Sequence, residues 1–188
     1  EGDFQPYLQQ TIFLDGEIQA DFHSEGNPTT PETMKDWGSL ELKNLKLKSK
    51  KGFQGISNLF GSLSYTDQGI KLKDIRGDVG KSPVKLDGEI IGETNSLWSI
   101  RATSSGLYSE DLKDIPFFET LEFSGPATLD FRLNGSSQLL RFENKIDFTP
   151  ASYRYKNILV KNTDAFNRLQ LKGRVTGGKS IAIEQLVY

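Results

Sequence analysis

The segment from Leu40 to Leu47, LELKNLKL, has an apolar pattern that changes phase at its centre. Leu40 and Leu42 alternate with polar residues, Asn44 takes the next apolar position, and Leu45 and Leu47 resume the alternation one position later. Side chains along a β-strand alternate between two faces, so this one-residue slip would turn the later leucines to the opposite face. A β-bulge absorbs one residue, and Asn tolerates the backbone dihedrals that such a point requires. The segment therefore predicts two short strand segments joined by a kink that keeps one apolar face continuous.

The same irregularity recurs further along the chain. In Ile70 to Val79 the apolar alternation changes phase at Asp74, and in Tyr153 to Val160 it changes phase at Asn157. A looser copy, with its switch at Gln185, lies near the end of the sequence. Coincidence in a β-rich sequence is the alternative interpretation, but three close copies favour a repeated structural device.

Alternation of apolar and polar residues extends through most of the chain and predicts a mainly β fold. The clearest strand covers residues 12–22, with a period of two throughout. Short turn sequences such as Thr66-Asp67-Gln68-Gly69 join successive strands as hairpins. We therefore expect an antiparallel meander of roughly ten to twelve strands.

Two segments depart from this pattern. Residues 23–38 are rich in Pro, Thr and Gly and predict a mobile loop. Ser109 to Ile115, SEDLKDI, predicts the one short helix, because Ser109 can cap it, acidic residues fill its first turn and Pro116 follows.

Composition excludes several classes of function. The 188 residues suffice for a single β domain, 1–188, and both ends of the sequence suggest a segment cut from a longer protein. The net charge is −2 with both signs interleaved, which argues against a nucleic-acid partner. The sequence has no cysteine, so disulfides, thiolate metal sites and cysteine nucleophiles are excluded. No apolar run approaches the ~20 residues of a membrane span.

Candidates for catalysis are few. His23 is the only histidine, so a metal site built on histidines is not expected. Glu17 and Glu89, in the repeated string DGEI, are the best candidate pair of carboxylates, but both fall on the polar side of their strands. Trp37 and Trp98 suit packing better than a sugar site. The sequence therefore predicts no enzyme, no metal and no cofactor, and a carbohydrate-acting enzyme is the weakest of the hypotheses.

The strands are apolar on one side only, and the sequence offers too little helix to cover that side. Such a sheet can pack against a second sheet, close into a barrel, or curl so that its apolar side lines a groove. The residues expected to line that apolar side are Ile12, Leu14, Ile18, Leu40, Leu42, Leu63, Ile70, Leu72, Val84, Leu86, Ile90, Leu129, Phe131, Phe142, Ile146, Leu169 and Leu171.

Several strings resemble a known family. FLDGEIQADF, FSGPATLDFRL and LKGRVTG, together with the units LKNL, LKDI and YKNI, resemble AsmA-like proteins. These are large bacterial envelope proteins related to the repeating β-groove, bridge-like lipid-transfer proteins. The stretch from Phe60 to Ile115 is the most similar.

The resemblance implies an elongated, curled antiparallel sheet, a groove or taco-like shape, whose concave apolar face accepts acyl chains of phospholipid or another lipid. It implies a periplasmic protein that carries or shields lipid between the inner and outer membranes and supports outer-membrane lipid homeostasis. An inner-membrane anchor would belong to parts absent from this chain. The family has no catalytic residues to transfer. A closed β-sandwich, acting as a non-catalytic structural or interaction module of the cell envelope, is the alternative.

Overall fold

A computed structural model describes residues 11–27, 29–30, 33–49, 55–92, 95–111, 121–155, 159–177 and 180–188. Within these ranges the chain forms thirteen β-strands and a 3₁₀ turn, so the prediction of a mainly β fold is confirmed. The strands are β1 Thr11–Glu25, β2 Lys35–Ser49, β3 Ile56–Thr66, β4 Gly69–Val79, β5 Ser82–Ile91, β6 Leu97–Leu107, β7 Leu121–Ser124, β8 Ala127–Ser136, β9 Leu139–Asp147, β10 Ser152–Tyr155, β11 Leu159–Lys161, β12 Arg168–Thr176 and β13 Ser180–Val187.

Ten of these strands form one antiparallel meander in the order β1-β2-β3-β4-β5-β6-β8-β9-β12-β13. The sheet does not close on itself, because in the described part of the chain β1 and β13 are its two edges. The other three strands leave the meander and form a small sheet in the order β11-β10-β7. The predicted meander is thus confirmed, and the sandwich alternative is wrong over most of the large sheet.

The kinks predicted at Asn44 and Asp74 are confirmed. Both residues have a left-handed backbone, with φ of 52° and 51°, which is rare for residues other than glycine. The β2–β3 register shifts between Leu42 and Leu45, and the β4–β5 register shifts between Leu72 and Ile75. Each strand therefore absorbs one extra residue and keeps its apolar side chains on a single face.

A further bulge was not predicted from the sequence. Asn58 in β3 has φ of 51°, and the β3–β4 register shifts between Ser57 and Phe60. The looser copy near the end of the sequence is a bulge as well, because Lys172 pairs with Gln185 and Gly173 with Ile183, which leaves Glu184 without a partner in the ladder.

The third copy, Tyr153 to Val160, is not a single kinked strand, so that prediction is wrong. Its two halves are β10 and β11, which pair with each other as Tyr153 with Lys161 and Arg154 with Val160. The chain therefore reverses between them. Asn157 itself lies outside the described residues.

The first hairpin also differs from the prediction. The period of two over residues 12–22 is interrupted, because the β1–β2 register shifts on both sides of Asp15. Conversely, the expected loop over 23–38 is shorter, since β1 continues to Glu25 and β2 begins at Lys35. Cross-strand contacts extend the hairpin: the His23 and Trp37 rings stack at 5.4 Å, and Ser24 Oγ donates to Asp36 Oδ1 at 2.6 Å.

The predicted helix at 109–115 is only a 3₁₀ turn, Ser109–Asp111, in its described part, and residues 112–115 lie outside that part. The polar side chains that suggested a helix start have other partners. Ser109 Oγ donates to the Phe123 carbonyl at 2.7 Å rather than accepting from a helix N–H. The Asp111 carboxylate accepts from the backbone N–H of Lys81 and the hydroxyl of Ser82, each at 2.8 Å.

The small sheet packs over one end of the large sheet and forms the main core there. This core contains the buried side chains of Leu107, Phe123, Ala127, Ile146, Phe148, Ala151 and Tyr153. Its aromatic rings meet edge to face, with Phe148 at 5.5 Å from Phe123 and 5.6 Å from Tyr153. The buried Lys161 ammonium donates to the carbonyls of Thr149 and Asn162 at 3.1 and 3.0 Å.

Candidate functional site

One face of the large sheet is apolar from edge to edge. Residues that pair directly across antiparallel strands share a face, so the register assigns each side chain. One row, for example, runs from Leu40 through Leu63 to Leu72, and another from Leu86 through Ala102 to Phe131. The members described away from the small sheet, called the apolar face below, include Ile18, Ala20, Phe22, Leu40, Leu42, Leu45, Leu47, Leu59, Leu63, Tyr65, Ile70, Leu72, Ile75, Val84, Leu86, Ile90, Trp98, Ile100, Ala102, Phe131, Leu133, Leu140, Phe142, Leu171, Val175, Ile181, Ile183 and Leu186.

Most of the residues predicted to line the groove lie on this face. Ile12 and Leu14 are exceptions, because their side chains lie outside the described part of the chain. The backbone register places Ile12 opposite Lys48 and Phe13 opposite Leu47, and it shifts on both sides of Asp15. The sequence predicts an unbroken strand here because Gly16, which has no side chain, fits the apolar alternation on either face.

Three other predicted residues lie on the same side but are covered. Ile146 is 2% exposed, and Leu129 and Leu169 pack against the core beneath the small sheet. They contribute to folding and are not open to a ligand. The same alternation marks other members that the predicted set does not contain, such as Ile75, Ile100, Leu133, Val175, Ile183 and Leu186.

The central members of the apolar face are half-buried by their neighbours alone. Towards the edges exposure rises, to 49% at Ile18 on β1 and 71% at Ile181 on β13. All thirteen described strands belong to the large sheet or to the small sheet, so among the described residues no further strand or helix covers the face away from the small sheet. A contiguous exposed apolar surface of this kind marks an interaction site.

The opposite face of the sheet carries ion pairs that cross the strands. Lys43 lies 3.6 Å from Glu17, and Lys85 lies 3.2 Å from Asp74. The Arg101 guanidinium binds both oxygens of Asp130, at 3.1 and 2.9 Å. Because each pair is solvent-exposed, each adds little stability, but together they keep this face polar.

Two carboxylates on the polar face, Asp130 and Asp147, hold their protons weakly. Hydrogen bonds from Arg101, then from Arg132, keep the pKa of Asp130 below its usual range although partial burial opposes this. Burial raises the pKa of Asp147, but hydrogen bonds from Thr149 and Arg168 outweigh it and leave the pKa lowered. The folded state therefore favours the ionised carboxylates.

This predicts a specific acid sensitivity. The pKa of an aspartate in the unfolded chain is about 4, above the lowered pKa values of Asp130 and Asp147 in the folded protein. At pH values between the two, the unfolded chain binds more protons than the folded chain. The free energy of unfolding therefore falls as the pH falls through that range. We expect the urea midpoint of unfolding to drop between pH 5 and pH 3, and Asp130→Asn to make that drop shallower. Equal pH dependence of the variant and the original protein, measured by tryptophan fluorescence, would contradict the assignment.

Residues considered for catalysis are not brought together. Glu17 is on β1 and Glu89 on β5, so three strands separate them, about 19 Å along the sheet at ~4.8 Å per strand. Paired catalytic carboxylates of glycosidases need roughly 5–9.5 Å. His23 Nε2 contacts Asp21 Oδ1 at 3.1 Å on an exposed surface. Within the described ranges no group of three His, Cys, Asp or Glu residues is arranged to hold a metal.

A concavity of about 680 Å³ lies on the polar side, where β3, β4, β5 and β6 run together. Its lining includes Asn58, Arg76, Lys85 and Thr103, and the Arg76 guanidinium lies 5.6 Å from the centre of the Phe60 ring. Phe60, Pro83 and Val84 also line it, so the concavity combines charged, hydroxylated and apolar groups.

Comparison with known proteins adds no relative: no family model, no curated protein and no solved structure matches the chain. Among the described residues, no helix has the length and apolar character needed to cross a membrane. The two unlike faces of the large sheet are therefore the main guide to function.

Proposed function

We propose that the open part of the apolar face binds the acyl chains of lipids and shields them from water. The observation that carries this proposal is the contrast between the two faces of one sheet. One face is apolar across ten strands with no second layer over its described open part, and the other carries ion pairs. Such a protein stays soluble through one face and holds an apolar ligand on the other.

The composition of the face favours lipid over protein as the ligand. Protein interfaces concentrate binding energy in aromatic and Arg residues and surround them with hydrogen bonds. On β4 and β5 the face is Leu, Ile and Val, as in Leu72 and in the pair of Ile75 with Leu86. Its aromatic members are spread over five strands: Phe22, Tyr65, Trp98, Phe131 and Phe142. An acyl chain needs only continuous apolar contact, and each methylene removed from water contributes about 0.8 kcal/mol.

The cellular role follows from the resemblance to AsmA-like proteins. We propose that the chain is a non-enzymatic segment of a periplasmic, bridge-like lipid-transfer protein, needing no cofactor. In that role it shields phospholipid or another acyl lipid between the inner and outer membranes, and membrane attachment belongs to other parts of the protein. The bulges at Asn44 and Asp74 support the curled shape that this role requires, because a bulge bends its strand and increases the local twist.

Photo-crosslinking tests the proposal directly. A photoreactive amino acid is placed at Leu72 or Leu86 on the apolar face, and at Lys71 or Ser99 on the opposite face as matched controls. We expect lipid adducts, identified by mass spectrometry after expression in a bacterial periplasm, at the first two positions and not at the controls. Equal labelling of both faces, or no lipid adduct at Leu72 and Leu86, would overturn it.

A non-catalytic interaction module is the second candidate, favoured by the edge strand β13. Its Ile181, Ile183 and Leu186 are 71%, 54% and 64% exposed, and its outer backbone edge has no neighbouring strand among the described residues. Exposed edges of this kind pair with strands of other chains. Protein adducts instead of lipid adducts in the same experiment would select this candidate.

A further inference from the structure

Asn144 is the one polar residue in the central rows of the apolar face between β8 and β12. It pairs with Phe131 on β8 and with Leu171 on β12, and Phe142 and Ile146 flank it on the same side of β9. Asparagine is disfavoured in strands, and an apolar residue would suit these neighbours better. Its presence therefore calls for a physical reason.

The Asn144 side-chain oxygen has no hydrogen-bond partner. Oδ1 is inaccessible to water, and no group of the protein donates to it. Buried acceptors are nearly always paired, because an amide loses its hydrogen bonds to water on burial and gains none in return. An oxygen without a partner among apolar side chains is thus a place where a donor is expected.

The position of Asn144 explains where that donor would come from. One step along β9, Ile146 is already covered by the small sheet, whereas on the other side Phe142 belongs to the open face. Asn144 therefore lies where the open apolar face ends. A ligand chain that lies along the face and reaches the small sheet brings its atoms beside this amide.

We propose that Asn144 determines ligand specificity by accepting a hydrogen bond from a donor carried on the acyl lipid, either a hydroxyl on the chain or the N–H of an amide-linked chain. This rests on the proposed function, because it assumes that acyl chains occupy the apolar face. A small movement of the side-chain amide on binding exposes Oδ1 to the ligand. A lipid without such a donor leaves the oxygen unpaired and binds more weakly.

The test compares three probes by isothermal titration calorimetry on the 188-residue chain: hexadecanoic acid, 3-hydroxyhexadecanoic acid and N-hexadecanoylglycine. We expect a probe with a donor to bind about tenfold more tightly than hexadecanoic acid, the difference that a satisfied buried acceptor provides. Preference for the hydroxylated acid or for the amide identifies the source of the donor. Equal affinity for all three overturns the proposal.

Variants assign the preference to this residue. Asn144→Leu and Asn144→Val should bind hexadecanoic acid at least as well as the original protein and lose the preference. Both should fold, because they remove an unpaired polar atom from an apolar surface. Asn134→Leu changes an exposed asparagine on the opposite face of β8 and should keep the preference for a probe with a donor. A preference that survives in both Asn144 variants overturns the assignment.

If no probe binds the original protein, the proposed function fails, and this inference fails with it.

Discussion

Gly61→Ala is expected to lower the free energy of unfolding by about 2–5 kcal/mol, through backbone strain and overpacking together. Gly61 has φ of +138°, and a Cβ there would lie 2.7 Å from Ile75 Cα and 2.9 Å from the carbonyl oxygen of Asp74. These are backbone atoms of the neighbouring bulge, so neither can move aside without breaking the β3–β4 ladder. Urea unfolding followed by tryptophan fluorescence gives the measurement.

Gly177→Ala is the matched control. Gly177 also has a positive φ, +58°, but a Cβ there would meet nothing within 4 Å. Its substitution costs only the backbone strain of a left-handed alanine, about 1–2 kcal/mol. A Gly61→Ala effect no larger than that of Gly177→Ala would show that the close approach to the Asp74 bulge does not constrain the fold.

The same arrangement occurs at the first bulge. A Cβ at Gly16 would lie 2.6 Å from the Asn44 carbonyl oxygen and 2.7 Å from Leu45 Cα. The bulges at Asn44 and Asp74 therefore each pack against a glycine on the preceding strand. The repeated Asn or Asp and the glycine before it form one structural unit, which explains why LKNL and LKDI units recur together with strand glycines.

Local pattern was sufficient to predict these bulges because an apolar face has to stay continuous. A polar residue with left-handed tendency, placed where the alternation slips, leaves a bulge as the simplest solution. The bulge at Asn58 is not evident from the sequence. Leu59, Phe60 and Gly61 follow Asn58 without a clear apolar and polar alternation, so the change of phase does not show. The alternation also predicts most of the apolar face, because between bulges every second residue of a strand lies on the same face.

Local pattern failed where distant segments decide the outcome. YKNI has the same Lys-Asn-Ile order as a bulge, yet Asn also suits hairpin turns, and there the flanking strands β10 and β11 pair with each other. For the same reason the sequence did not show that Leu129, Ile146 and Leu169 are covered. Their cover depends on Phe123 and Tyr153 folding back over the sheet, a long-range contact that no local periodicity encodes.

The second large effect is expected at Asp111, where one carboxylate joins two corners of the sheet. Its Oδ2 accepts from the Lys81 backbone N–H and from the hydroxyl of Ser82, which is fully buried. The Ser82 oxygen in turn accepts from the Tyr108 N–H at 2.9 Å, so the β4–β5 turn is held to the end of β6. Asp111→Ala leaves the Ser82 hydroxyl and the Lys81 N–H without an acceptor.

We expect Asp111→Ala to lower the free energy of unfolding by about 2–4 kcal/mol, since each orphaned buried group costs roughly 1–3 kcal/mol. Asp111→Asn keeps an acceptor oxygen of the same shape and should lose less than half as much. Asp67→Ala, at an exposed aspartate in the β3–β4 turn, should change stability by no more than ~0.5 kcal/mol. Similar losses in Asp111→Ala and Asp111→Asn would mean that the negative charge, and not the acceptor geometry, holds this corner together.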